Sequence, residues 1–332
     1  MKRNHIQRSG AIAAILLVAN ILSLAQTGGE SLIEEKNVRA EMGFLASNAM
    51  QGRGSGTIFE HVTAEYIGSQ FMQFGLEPAG EPGWEGKPTY VQTVSVPSRT
   101  AGGPSRQTWN AMGKIMGIDT TLSSEIILLT SHLDHLGVRE NASGDDKIFN
   151  GADDDASGSV AVMELARILG SGKRPKRTVY FVCFGSEESG GFGARYFVNN
   201  LPFLKDKLVA NLEFEMIGRP DAKVKSDELW LTGYERSNLG PALAKRGAKL
   251  VQDPHPEQNF FQRSDNIQLA RAGIIAHTVS SFGLHKDYHQ ASDEIKTIDC
   301  VHMTRAINSM VAPVQWLINT NFKPTWNDGK KP

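Results

Sequence analysis

The chain has 332 residues, with 35 Lys and Arg against 36 Asp and Glu, and a formal net charge of −1. That balance, with no long basic or acidic run, argues against a nucleic acid or another polyanion as partner. Hydrophobic residues make up 40% of the chain, enough for a large core in one big α/β domain or two small ones, and there is no internal repeat or low-complexity tract.

Residues 1–26 read as a signal peptide rather than as part of the fold. Lys2, Arg3 and Arg8 form a positive region, Ala11 to Leu22 an apolar stretch interrupted by Asn20, and Ser23 and Ala25 are small residues before a cut after Ala25. The apolar run is short for a membrane-spanning helix. Secretion or export to a periplasm is expected, with no stable membrane association once the segment is removed; an uncleaved anchor is the alternative. The remaining 27–332 is expected to form a single domain without an inserted second one.

Helices are predicted over 30–43 and 58–74, separated by F-L-A-S-N-A-M-Q-G-R and a turn with glycines at 52, 54 and 56. An edge strand follows at 90–96, then a loop over 97–107, then a strand at 109–118 expected to hairpin onto the next one. Ile126 to Thr130 is an apolar run of strand length that delivers His132 and Asp134 to its carboxyl end. A polar loop then presents Asp153, Asp154 and Asp155, and a helix pattern starts at once over 156–169. Thr178 to Phe184 is the clearest buried strand and ends in G-S-E-E-S-G. Further strands are predicted at 208–217, 229–232 and 274–279, with a short helix at 239–246 and a last one, capped by Asp299, running to about 319 and kinked by Pro313. Strands alternating with helices predict an α/β three-layer sandwich around a largely parallel, mixed central sheet. Cys183 and Cys300 are the two cysteines, and Cys183 sits in the buried strand, so no disulfide is expected.

Each chemical signal has a bland reading when taken alone. A histidine at a strand end is commonly a hydrogen-bonded surface residue. An Asp run can cap the helix after it and complement its dipole. The run does not fit a calcium loop, which needs ligands at alternate positions and a central Gly. Together, however, four strand ends carry His132 and Asp134, Glu187 and Glu188, Glu213 and Glu215, and the loop with His285, Asp287, His289 and Asp293. Open α/β sheets place ligands at that edge. Several carboxylates crowded there raise one another's pKa unless cations sit among them. Histidines with carboxylates suit a pair of zinc ions sharing one carboxylate.

The motifs H-L-D-H-L-G, G-A-D-D-D-A-S-G, S-E-E-S-G, E-M-I-G-R and D-Y-H-Q-A-S-D occur in the order seen in metallopeptidase family 28, and the chain resembles that family over about 36–320. The family includes di-zinc aminopeptidases, with glutamate carboxypeptidase, transferrin receptor and glutaminyl cyclase as relatives. The resemblance implies a zinc exopeptidase fold, two Zn2+ per chain and peptide substrates. It implies that His132, Asp154 and an acid from the 211–217 strand hold one ion, and that Asp154, Glu188 and His289 hold the other. Asp154 would bridge, with a cis peptide to Asp155. Asp134 would orient His132, and Asp293 would orient His289. Glu187 resembles the general base that activates a metal-bridged water and protonates the leaving amine.

The family usually has Asp before M-I-G-R, where this chain has Glu215. Its register favours Glu215 as the ligand, and Glu213 is then expected to be a solvated or hydrogen-bonded strand-end acid. His135 is expected to point away from the metals. His285 and Tyr288 are either substrate contacts or loop packing, and Ser264-Asp265 resembles a family motif near the pocket. Phe260, Phe261 and Phe282 are candidate pocket walls. The leading reading is an aminopeptidase. Alternatives are a glutaminyl cyclase, a carboxypeptidase or dipeptidase using Arg219, and a catalytically dead binding scaffold. Neither side-chain preference nor oligomeric state is legible.

Overall fold

The structure is a computed structural model that describes residues 33–98 and 105–332. The signal-peptide expectation lies outside the described residues. Helix α1 (Glu35–Leu45) and helix α2 (Ile58–Gln73) open the fold. They are followed by β1 (Glu77–Pro78), β2 (Val91–Val96), β3 (Arg106–Ile115) and β4 (Ile126–His132). The short strands β5 (Gly137–Val138) and β6 (Ile148–Phe149) pair only with each other. Then come α3 (Gly158–Ser171), β7 (Thr178–Phe184), α4 (Phe192–Asn199) and β8 (Leu208–Phe214). The chain continues through β9 (Leu229–Leu231), α5 (Leu239–Ala244), β10 (Leu250–Gln252), α6 (Asn266–Arg271), β11 (Ala276–Ser280) and α7 (Cys300–Asn319).

The main sheet runs β1-β3-β7-β4-β8-β11-β9-β10, with β2 also on β3. Its centre is parallel: β4 lies between β7 and β8, and β11 joins β8. The flanks are antiparallel where β3 meets β7 and β9 meets β11. The expected hairpin between the 109–118 strand and β4 does not form, because β7 and β8 occupy both edges of β4 and β3 pairs with β2 and β7 instead.

Both faces of the central strands are covered, as their continuous apolar runs require. Side chains alternate with period two. Ile127, Leu129, Val179 and Phe181 meet α1, α2, α3 and α7 on one face. Ile126, Leu128, Tyr180 and Val182 meet α4 and α6 on the other. This gives the three layers. Asp299 caps α7 through Val301 N and His302 N, and the helix runs on through Pro313. Cys183 and Cys300 are both buried and free. Among the described residues, no helix is long and apolar enough to cross a membrane.

Candidate metal centre

Four central strands, β4, β7, β8 and β11, point their carboxyl ends the same way, which brings their loops to one edge. His132 ends β4, Glu187 and Glu188 follow β7, Glu215 follows β8, and His289 lies in the loop after β11. Asp154 sits between them, in the turn that opens α3. Its two oxygens face opposite ways: Oδ1 is 3.2 Å from His132 Nε2, and Oδ2 is 3.1 Å from His289 Nε2. His289 Nε2 is also 3.1 Å from Glu188 Oε1. His132, Asp154 and Glu215 form one group of potential ligands, and His135, Asp154 and Glu188 form a second.

A network of backbone hydrogen bonds holds this geometry. Gly151 takes φ +57°, a conformation open to glycine, and a Cβ there would lie 2.1 Å from Asp154 O. The Asp154-Asp155 peptide is cis. Asp155 points away from the cluster and accepts from His132 N at 3.2 Å, Gly158 N at 3.0 Å and Met216 N at 3.1 Å, so one carboxylate ties together the ends of β4 and β8 and the start of α3. Asp153 accepts from Gly218 N at 2.8 Å and lies 2.9 Å from His285 Nε2. His285 therefore braces the Asp turn. Tyr288 stacks on the His289 ring, with centroids 3.9 Å apart, and lines a pocket next to Glu215.

Several expectations change. Asp293 braces the Asp154 turn rather than His289: its carboxylate accepts from Asp153 N and Asp154 N, each at 3.1 Å, and pairs with Arg219 at 2.9 Å. Asp134 does lie beside His132: His132 Nδ1 is 3.2 Å from its backbone oxygen and 3.8 Å from its carboxylate, which also accepts from Glu187 N at 3.0 Å. Glu213 is neither solvated nor hydrogen-bonded: it is fully buried and both its oxygens lack a partner. The strand ends at Phe214, one residue short of Glu215, Met216 takes φ +52°, and it is Glu215 that joins a group of potential ligands. His135 does not point away: its ring is buried, with Nδ1 2.9 Å from Glu188 Oε1.

Three structural residues carry no sequence signal strong enough to assign them. Arg53, buried, donates to the carbonyls of Leu45, Leu133, Asn150 and Gly151; only its place in the M-Q-G-R stretch hints at it. Glu60 accepts from Gly56 N at 2.6 Å, Thr108 Oγ1 at 2.6 Å and Ser186 N at 2.8 Å, and so fixes the turn before Glu187. Trp230 joins Phe260, Phe282 and Tyr288 around the pocket beside Glu215. Phe261 packs instead into the core under α6.

The electrostatics suit a cation. Burial pushes Glu187 and Asp155 well above the usual carboxylate range, and neighbouring acids push them further. Burial also raises Glu215, to about 7, and Glu60, to about 8. Burial works the same way on Asp154, but the imidazoles of His132 and His289 hold its carboxyl well below the usual range. His132 Nε2, both nitrogens of His135 and Glu188 Oε1 are buried without a hydrogen-bond partner. Unpaired buried polar atoms are costly and uncommon. Nitrogen and oxygen donors converging with free lone pairs fit borderline ions such as zinc.

A parallel-centred α/β sheet thus bears a candidate metal centre at its carboxyl edge. The model of peptidase family M28 matches residues 110–314, and the chain belongs to that family. It is 29% identical over 216 residues to leupeptin-inactivating enzyme 1 of Streptomyces exfoliatus, a match covering 64% of this chain and 42% of that protein. The chain thus spans well under half the length of that relative. Its fold is shared with a zinc aminopeptidase from Bacillus subtilis at TM-score 0.65 and 15% identity, covering 87% of this chain and 96% of that one. Glutaminyl cyclase of Porphyromonas gingivalis shares it equally, at TM-score 0.64 and 16% identity over 86% and 99% of the two chains. Fold alone does not separate those two activities.

Proposed function

We propose that this chain is a zinc-dependent aminopeptidase with two ions at the site. The observation that carries the reading is the shared Asp154, whose two oxygens face separate ligand groups while Glu187 stands beside both. Bound zinc would supply Lewis acidity toward a peptide carbonyl and toward water. His132, Asp154 and Glu215 would hold one ion, and Asp154, Glu188 and His289 the other. Glu187 takes the proton of the attacking water and passes it to the leaving amine. Its backbone is locked by Asp134, and burial keeps its proton affinity high enough for that exchange.

The pocket beside Glu215 is walled by Trp230, Phe260, Phe282 and Tyr288. It offers an apolar wall to the side chain of the N-terminal residue. Arg219 supports removal of N-terminal rather than C-terminal residues. It is committed to Asp287 at 2.8 Å and Asp293 at 2.9 Å, so it is not free to bind a substrate carboxylate.

Hydrolysis of aminoacyl-nitroanilides and N-blocked peptides, with metal content measured on the same sample, tests this. We expect about two zincs per chain, cleavage of free-amino substrates only, and a loss of about 10²–10⁴-fold in kcat for Glu187→Gln with metal retained. Full metal without turnover would favour cyclisation of N-terminal glutamine instead. We also propose export of the chain by residues 1–26; N-terminal sequencing of the exported protein should start just after Ala25.

A further inference from the structure

His135 has an environment that a bystander histidine would not have. It is 1% exposed. Its backbone N–H donates to Arg53 O at 3.3 Å, and its ring lies against Gly151, where a Cβ would come within 2.4 Å of Cγ. The ring is thus buried against the Gly151 backbone, and its own backbone is tied to the chain at Arg53. It faces His289 with centroids 5.8 Å apart.

The Nδ1 atom lies 2.9 Å from Glu188 Oε1 and 3.8 Å from Asp154 Oδ2. Nδ1, Nε2 and Glu188 Oε1 are buried without a well-formed hydrogen bond, and His135, Asp154 and Glu188 make up one of two groups of potential metal ligands among the described residues. His132 behaves in the same way, with Nε2 3.2 Å from Asp154 Oδ1 and no hydrogen-bond partner.

We propose that His135 is a fourth protein ligand at the second metal position, joining Asp154, Glu188 and His289 through Nδ1. The inference rests on the two-zinc reading above and adds to it an inequality between the positions. The first, with His132, Asp154 and Glu215, has three protein donors. The second has four, two of them imidazoles. An added imidazole donor strengthens the hold on an ion, so the second position binds its ion more tightly, and the first is the exchangeable one.

The full chain, stripped with a chelator, would be titrated with Zn2+ against a chromophoric chelator and with Co2+ by visible absorption. Wild type, His135→Ala and His135→Asn would be compared. Asparagine can still donate to Glu188 but is a poor zinc ligand, so it would rescue a residue that merely orients Glu188. Wild type should bind two ions of unequal affinity. Both variants should lose more than ~100-fold at the tighter one, beyond the range for an outer-sphere partner, with a changed Co2+ spectrum. Because Ala removes a buried ring, a wild-type readout stands beside it: nitrogen-15 imidazole spectra of the zinc form should show three metal-bound histidine nitrogens. Two such nitrogens, or wild-type affinity in the Asn variant, would overturn the His135 assignment while leaving two zincs in place. A wild type that binds fewer than two ions would instead overturn the two-zinc reading, and this inference with it.

Discussion

Arg53 shows how much of the site depends on single residues outside the ligand set. Its guanidinium supplies donors to four carbonyls from three separate segments. A planar fork with five donors can do this and an ammonium cannot. Arg53→Met should leave those carbonyls unpaired and lower unfolding stability by about 3–5 kcal/mol in urea titration, and Arg53→Lys should recover little of it. Nothing in the local sequence states this role, because each partner carbonyl belongs to another segment. The proposed ligands are different. His132, Asp154, Glu188 and His289 are legible because each sits at an element junction inside a recognisable motif. Glu213 against Glu215 was readable only through register, and the end of β8 at Phe214 is what separates the two.

At the scale of elements, the loop between β6 and α3 is the most constrained segment. Gly151 has φ +57°, and an added Cβ would meet both Asp154 O and the His135 ring. Gly151→Ala should therefore displace the Asp turn and abolish zinc binding, as measured by metal content after dialysis, with β-sheet circular dichroism largely kept. Strand β11 provides a pH-dependent element. Burial pulls His277 down from 6.5 to about 4, against the opposing Thr232 carbonyl. The unfolded chain takes up this proton first as pH falls, so the stability is complete above pH 6.5 and is lost as pH drops toward 4. The window is worth on the order of 3 kcal/mol. Urea midpoints at pH 7 and pH 4.5 should differ less in His277→Gln than in wild type.

For the whole molecule, the crowd of buried carboxylates at one sheet edge links metal to stability. Glu187, Glu213 and Asp155 are all raised well above their usual range by burial and by neighbouring acids, Glu215 among them in each case. The proposed zinc would bind the folded arrangement of donors and so stabilise it by mass action. An ion at 100 times its Kd is worth ~2.7 kcal/mol, and Tm should fall by at least ~5 °C on chelation and recover on adding zinc, followed by calorimetry. The sequence by itself determined the layered α/β class, the buried central strands and the order of the site motifs, because hydrophobic period and motif spacing are local properties. It misplaced β3, since strand pairing is settled by competition among edges distant in the chain. It also left His135 facing the wrong way. Only the tertiary structure decided that orientation, because the backbone of Gly151 and the chain around Arg53 confine the ring, and neither segment is adjacent to it in sequence.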